Sequence, residues 1–255
     1  MKPINPAPQQ PAPPVTEINA LLALYTNRRY AEAESGVRAL LKRYPEFGFG
    51  WKLLGGILQM QGMDALPASR QVHVTFGCFQ NLTKAGDEVL AAWGKILAAL
   101  PDAKLRWQCK QFGDPEVVKQ QGLRLQQHGI DPARVALQKS TSRKDYLAAH
   151  AEVDLILDTF PYPGATTTCE ALWMGVPTIT LAGETLLARQ GASLLAAPGL
   201  TEWIANSVED YIAKAINLAG DLTGLAVLRA GLREQVRTSP LFDAKRFAKN
   251  FEDAL

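Results

Sequence analysis

Residues 155–184 read LILDTFPYPGATTTCEALWMGVPTITLAGE, and the fold turns on how this stretch is parsed. An apolar run at 155–157 ends at Asp158. Pro161, Pro163 and Gly164 then mark a loop, since proline presets φ and glycine lacks the Cβ that restricts it. Thr166, Thr167 and Thr168 open a helix carrying Glu170, Leu172, Trp173 and Met174, the last three assigned to the core. A second apolar run follows at 178–181. Strand, loop, helix and strand in about thirty residues make a βαβ unit, which sets two strands parallel in one sheet.

The same rhythm extends upstream. Strands are expected over 72–77, 105–109 and 135–138, with amphipathic helices over 87–100 and 114–128. Residues 208–255 read as helical throughout and are expected to pack back on the sheet. The expected fold over 72–255 is α/β, a single Rossmann-like doubly wound parallel sheet.

Ligands of such sheets bind beyond the carboxyl ends of the strands, where the helix start after Gly164 lies. Free amides and the positive dipole end make a helix start an anion site, and threonine hydroxyls add donors for a phosphate. Glu170, expected in the first turn, offers a carboxylate to ribose hydroxyls. The competing reading is helix capping, since threonine is an ordinary N-cap and an early glutamate complements the dipole without a ligand. Both readings stand on the residues alone. A second strand-end loop, GCFQNLTKAGDEVL at 77–90, holds Gln80, Asn81, Thr83 and Lys84. Lys84 suits a diphosphate as a flexible point charge, or is simply solvated. His73, His128 and His150 are scattered without ligand spacing and read as surface or strand residues. Arg189 reads as an exposed helix charge.

Ahead of the sheet, 16–61 is helical in pattern. Apolar residues recur at steps of three and four through Leu21, Leu24 and Tyr25, and again through Val37, Leu40 and Leu41, up to Pro45. Trp51, Leu54 and Gly55, followed by Leu58, fill the W-x-x-L-G positions of a tetratricopeptide (TPR) repeat. One 34-residue period earlier, Ala33 and Pro45 occupy the repeat's alanine and proline positions. The expected segment is a partial TPR at 16–62, about one and a half repeats. Its second helix gives way to MDALPASRQ at 63–71, a linker.

A chain of 255 residues allows one large domain, or a domain with an appendage. The net charge of +2 gives nucleic-acid binding no electrostatic support. Cys78, Cys109 and Cys169 are odd in number and widely spaced, which fits buried thiols in a reducing compartment. No apolar run is long enough to span a membrane. Residues 1–15 are proline-rich, without the apolar core of a secretory signal, so a disordered lead and a cytoplasmic protein are expected.

Three strings, VTFGCFQNLTK (74–84), LDTFPYPGATTTCEALWMGVPTITLAGETLLARQGASLL (157–195) and SPLFDAKRF (239–247), resemble the C-terminal catalytic lobe of the O-GlcNAc transferase family, glycosyltransferase family 41. The likeness covers about 72–255, and the TPR segment agrees with the family's N-terminal repeats. It implies a GT-B fold and inverting transfer of N-acetylglucosamine from UDP-GlcNAc to serine or threonine of proteins. UDP-sugar would be the small-molecule partner, and protein acceptors would come by way of the TPR. By the same resemblance Lys84 contacts the diphosphate and stabilises the leaving group. Gln80 and Asn81 lie near the phosphates, Thr166 and Thr167 hold the β-phosphate with Thr168 beside them, and Glu170 binds ribose, with a longer arm than the aspartate of many members. Arg143 and Tyr146 flank uracil, Tyr146 in place of an imidazole. Ala165 stands where relatives have glycine or histidine, near the sugar. No Asp-x-Asp occurs, which opposes the metal-dependent GT-A class, so no metal or other cofactor is expected.

A GT-B enzyme sets its active site between two α/β lobes. Only nine residues, 63–71, separate the TPR segment from the donor lobe, too few for a second lobe. The expected state is a transferase lobe that transfers no sugar by itself; the alternatives are a UDP or UDP-sugar-binding module without turnover and a TPR-type interaction protein.

Overall fold

The computed structural model describes residues 13–44, 47, 49–50, 53–54, 56–57, 73–140 and 142–254. The lead up to residue 12, the TPR positions Pro45, Trp51, Gly55 and Leu58, and the linker at 63–71 lie outside the described residues. The chain divides into two compact units, Met1–Met63 and Asp64–Leu255.

The first unit contains helices α1 (Val15–Thr26) and α2 (Tyr30–Arg43), and residues 49–50, 53–54 and 56–57 are also helical. Leu21, Ala33, Val37, Leu40, Leu41, Leu53, Leu54 and Ile57 form its core. Ala33 is fully buried on α2, where a small side chain lets helices approach closely. Arg28, in the connection after α1, takes a positive φ of 58°.

The second unit is a six-stranded sheet, β1 (Thr75–Cys78), β2 (Lys104–Cys109), β3 (Val135–Lys139), β4 (Leu155–Leu157), β5 (Thr178–Leu181) and β6 (Ile204–Ala205). Its order is β3-β2-β1-β4-β5-β6, every pairing parallel. The order reverses between β1 and β4, so the connections leave β1 and β4 in opposite directions and open a crevice there. β1 and β4 are buried at every residue, which requires cover on both faces. The helices are α3 (Asp87–Ala99), α4 (Pro115–Gln127), α5 (Arg143–Ala148), α6 (Thr166–Trp173), α7 (Gln190–Ala196), α8 (Val208–Gly220), α9 (Leu222–Arg237) and α10 (Ala244–Glu252).

The doubly wound parallel sheet is as expected, with two corrections. Ile204–Ala205 adds a sixth strand, too short to leave a periodic signal. Residues 208–255 are not one helical run. Asp221 ends α8 and caps α9 by accepting from Gly224 N at 2.8 Å, and a 3-10 turn at Pro240–Phe242 precedes α10. α8 and α9 meet at 93°, and among the described residues no single helix is long and apolar enough to cross a membrane.

The core holds Phe76, Leu105, Trp107, Leu155 and Leu157 from the strands, and Trp93, Leu125, Leu172, Tyr211 and Leu232 from the helices. Burying side chains of this size is worth roughly 1.5–3 kcal/mol each. One polar thread ties this core to the crevice. Trp93 Nε1 donates to Tyr211 Oη at 3.3 Å, and Tyr211 donates to the carbonyl of Asp158 at 2.9 Å.

Candidate functional site

Each half of the crevice is supplied by a strand end. β1 runs into Phe79 and Gln80, and a 3-10 turn, Leu82–Lys84, follows. Asn81 caps that turn, its Oδ1 accepting from Thr83 N at 3.0 Å and from Gln111 Nε2 at 2.5 Å. β4 runs into Asp158, then the loop to Gly164, then α6.

The centre of the site is Asp158, fully buried, which the sequence reading recorded only as a strand end. Its Oδ1 accepts from Thr159 N at 3.0 Å, Gly164 N at 2.8 Å and Gln80 Nε2 at 3.2 Å. Its Oδ2 accepts from Thr180 Oγ1 at 2.9 Å. Burial pushes its carboxyl up to about 6, opposed by the bonds from Gly164, Thr180 and Thr159 and by the nearby Lys84. An apolar run that ends in an acid at the switch point of a sheet was the signal available for it.

Gln80 is nearly buried and links both halves. Its Nε2 also donates to Thr167 Oγ1 at 2.7 Å, and its Oε1 accepts from Lys84 Nζ at 3.3 Å. Lys84 Nζ donates as well to the carbonyl of Pro163 at 3.1 Å and sits 4.0 Å from the centroid of the Tyr162 ring. All three contacts are with neutral groups. Gly164 must be glycine here, because a Cβ would run into Gln80 Nε2 and Thr167 Oγ1 and stand 2.7 Å from Thr168 Oγ1.

Ala165 occupies the N-cap of α6 and makes no side-chain cap. By contrast Asp114, Ser142, Ser207 and Asp221 cap α4, α5, α8 and α9 with their side chains. The first-turn amides of α6 therefore receive no side-chain acceptor from the N-cap. Thr166 is exposed, Thr167 half-buried, and Thr168 buried, its hydroxyl without a partner among the described residues. The capping reading needed an early carboxylate. The first turn of α6 holds no acidic residue, because Glu170 is its fifth residue, so its expected first-turn position is corrected.

Glu170 instead receives two groups from α5. Arg143 Nη1 donates to its Oε1, and Tyr146 Oη donates to its Oε2 at 2.8 Å. Burial, then the Glu170 carboxylate, raises the Tyr146 phenol. Tyr146 meets Phe79 edge-on at 5.5 Å. His150, expected at the surface or in a strand, is fully buried in the turn after α5 and stacks on Phe79 at 4.0 Å. Its Nδ1 lies 3.1 Å from the carbonyl of Tyr146, and its Nε2 has no partner among the described residues. Burial drives its imidazole down to about 4, so it is neutral at pH 7. Arg189 is exposed, donating to the Gly183 carbonyl at 3.1 Å.

Asn81, Arg143, Tyr146 and Thr167 line one cleft of about 610 Å³, together with Phe79, Gln108, Cys109, Lys110, Gln111, Ser140 and Ser142. Gln80, Lys84 and Glu170 adjoin it through their bonds to one another and to the lining residues. The sequence reading missed Asp158, Tyr162, Lys110 and the Phe79–His150 stack. Beside the cleft the arrangement offers two bonded groups, an ammonium, a hydroxyl and a helix start in one, and aromatic rings with a carboxylate in the other. That combination suits a diphosphate joined to a nucleoside.

The sequence model of Glycosyl transferase family 41 matches residues 58–251. A probable UDP-N-acetylglucosamine–peptide N-acetylglucosaminyltransferase, SPINDLY, of Petunia hybrida is 42% identical over 187 residues, 73% of this chain and 20% of that protein. The UDP-N-acetylglucosamine–peptide N-acetylglucosaminyltransferase of Caenorhabditis elegans is 29% identical over 182 residues, 71% of this chain and 16% of that one. Among solved structures, an O-GlcNAc transferase mutant from Thermobaculum terrenum superposes with a TM-score of 0.68 at 41% identity, covering 71% of this chain and 35% of that one. This chain therefore spans about a fifth of the length of the curated relatives it matches.

Proposed function

The chain belongs to glycosyl transferase family 41, and from that premise we propose that its α/β unit binds the donor UDP-GlcNAc for transfer to serine or threonine of proteins. The diphosphate lies between Lys84 and the start of α6, with Asn81 and Thr166 beside it. Ribose and uracil lie toward Glu170, Arg143 and Tyr146, and the sugar lies near Ala165. Lys84 carries this reading. It is a half-buried cation among neutral partners, next to a helix start without a side-chain cap. Such a charge stabilises the departing UDP, and donors fixed beforehand need no reorganisation as charge develops. The helical first unit serves as a TPR-type contact for acceptor proteins.

Donor binding without transfer is the expected behaviour of this chain by itself. Transfer needs the acceptor hydroxyl held against the anomeric carbon, which can be worth about 7–11 kcal/mol of barrier. In a GT-B enzyme a second lobe shares that work, and 63–71 leaves no room for one between the helical segment and the sheet. The test is calorimetric titration with UDP-GlcNAc, UDP and the corresponding guanosine and adenosine diphosphates, followed by incubation with UDP-GlcNAc and acceptor proteins. Uridine-selective binding without transfer supports the reading. Preference for another base overturns the donor assignment, and transfer that depends on Lys84 overturns the inactivity.

A further inference from the structure

We propose that Asp158 is a positioning residue which, through the amide of Gln80, sets which atoms of the phosphate cradle donate outward. The inference rests on the UDP-sugar reading for its ligand and goes beyond it in giving a buried side chain a task in that site.

A carboxylate placed behind an anion site opposes the ligand by charge. Its contribution has to be sought in its hydrogen bonds. All four groups around Asp158 donate to it: two backbone amides, the Thr180 hydroxyl and the Gln80 amide. It is walled in as well. A Cβ on Gly191 would stand 2.9 Å from its Oδ2, and Gly164 closes the other side through its amide.

The end of a glutamine is two-faced, and a half-turn exchanges donor for acceptor. Against Asp158 only one orientation works. The other sets the Gln80 carbonyl oxygen against the carboxylate and its NH2 against the Lys84 ammonium. Two consequences follow from the chosen one. Thr167 Oγ1 accepts from Gln80 Nε2, so its own proton is left to donate elsewhere, and Thr167 lines the cleft. Lys84 gives one proton to Gln80 Oε1 and one to the Pro163 carbonyl, and its third is engaged only by the face of the Tyr162 ring, a weaker partner that a ligand oxygen can replace. A diphosphate only accepts hydrogen bonds, so it needs both of these donors. Without Asp158 the Gln80 NH2 loses its charged acceptor and only Lys84 opposes a turn of the amide; each turn draws the Thr167 proton inward and strips Lys84 of an anchor.

The test titrates UDP and uridine into the full chain as wild type, Asp158→Ala, Asp158→Asn and Gln80→Leu. Asp158→Ala is expected to weaken UDP by about tenfold or more and uridine by less than about threefold. Asp158→Asn is expected to keep UDP within about threefold of wild type. Its oxygen still accepts from Gly164, Thr159 and Gln80, and the Thr180 hydroxyl can turn to accept from its NH2. Asp158→Ala combined with Gln80→Leu loses no more than the worse single variant, because both cut one relay. If Asp158→Ala fails to fold, Gln80→Leu carries the test, with UDP weakened about tenfold and uridine spared. Equal losses for UDP and uridine, an asparagine variant as poor as alanine, or additive losses each overturn the positioning role while leaving the donor reading in place. A wild type that binds no uridine nucleotide overturns both.

Discussion

The two ends of the cleft treat charge in opposite ways. At the proposed phosphate end, Lys84 is held by an amide oxygen, a carbonyl and a ring face, and among the described residues its charge meets no carboxylate at contact distance. At the nucleoside end, Arg143 is held by the Glu170 carboxylate, which also takes the Tyr146 hydroxyl. On the proposed reading, the first end is laid out for an anion before one arrives, whereas the second satisfies itself, and a ribose placed there would share or displace bonds that the protein already makes. Binding energy should therefore concentrate at the phosphate end, with the nucleoside end selecting more than it holds.

The largest effects concern the buried titratable group at each end. For Asp158 the folded carboxyl is raised from 3.8 to about 6, so its contribution to stability is full below about pH 3.8 and is lost as pH rises through about 6. For His150 the folded imidazole is lowered from 6.5 to about 4, so its contribution is full above about pH 6.5 and is lost as pH falls through about 4. Each amounts to about 3 kcal/mol, and over pH 4–6 they oppose each other. Urea unfolding at pH 4, 5, 6 and 7 separates them. Asp158→Asn should leave a chain that loses stability on acidification more steeply than wild type. His150→Phe should do the reverse, by unmasking Asp158. Parallel curves for the three proteins would break the comparison.

Smaller effects come from the nucleoside end itself. Glu170→Ala should weaken UDP by roughly 1–2 kcal/mol, since no acceptor is left for a ribose hydroxyl, and Glu170→Gln by less. Equal affinity for both variants and the parent in a calorimetric titration would remove Glu170 from the ribose. Smallest of all, Arg143→Ala should change UDP affinity by less than about 1 kcal/mol. Its own side chain is 67% exposed, so water screens its charge, and Tyr146 still holds the more buried Glu170 carboxylate when the guanidinium is removed.

Much of this was legible in the sequence, for reasons that differ by residue. The β4–α6–β5 unit shows because an apolar run, a proline-glycine loop and a helix start agree within thirty residues. β6 could not show, since two residues carry no period. The breaks in the C-terminal helices did have signals, Asp221 as a cap and Pro240 as a stop, which a single helical reading passed over. Lys84 and Thr167 stand out as candidates because strand ends hold the ligands of a parallel sheet, but solvation and helix capping explain the same residues, and only the family resemblance chooses between them. Arg143 and Tyr146 came from family resemblance alone, because nothing local ties α5 to a carboxylate 24–27 residues away. The burial of His150 is a tertiary event, fixed by Phe79 from another strand end. Glu170 falls outside the first turn because the helix starts at Thr166, and three successive threonines do not mark which of them comes first.

The donor assignment is tested by a paired titration of UDP and uridine into the wild-type chain and Lys84→Ala. One saturable site that prefers UDP is expected in the wild type. In the variant, UDP should lose roughly 1.5–3 kcal/mol, the worth of one charge-assisted hydrogen bond, while uridine binds as before. Absence of UDP binding, or an equal loss for UDP and uridine, would contradict the assignment.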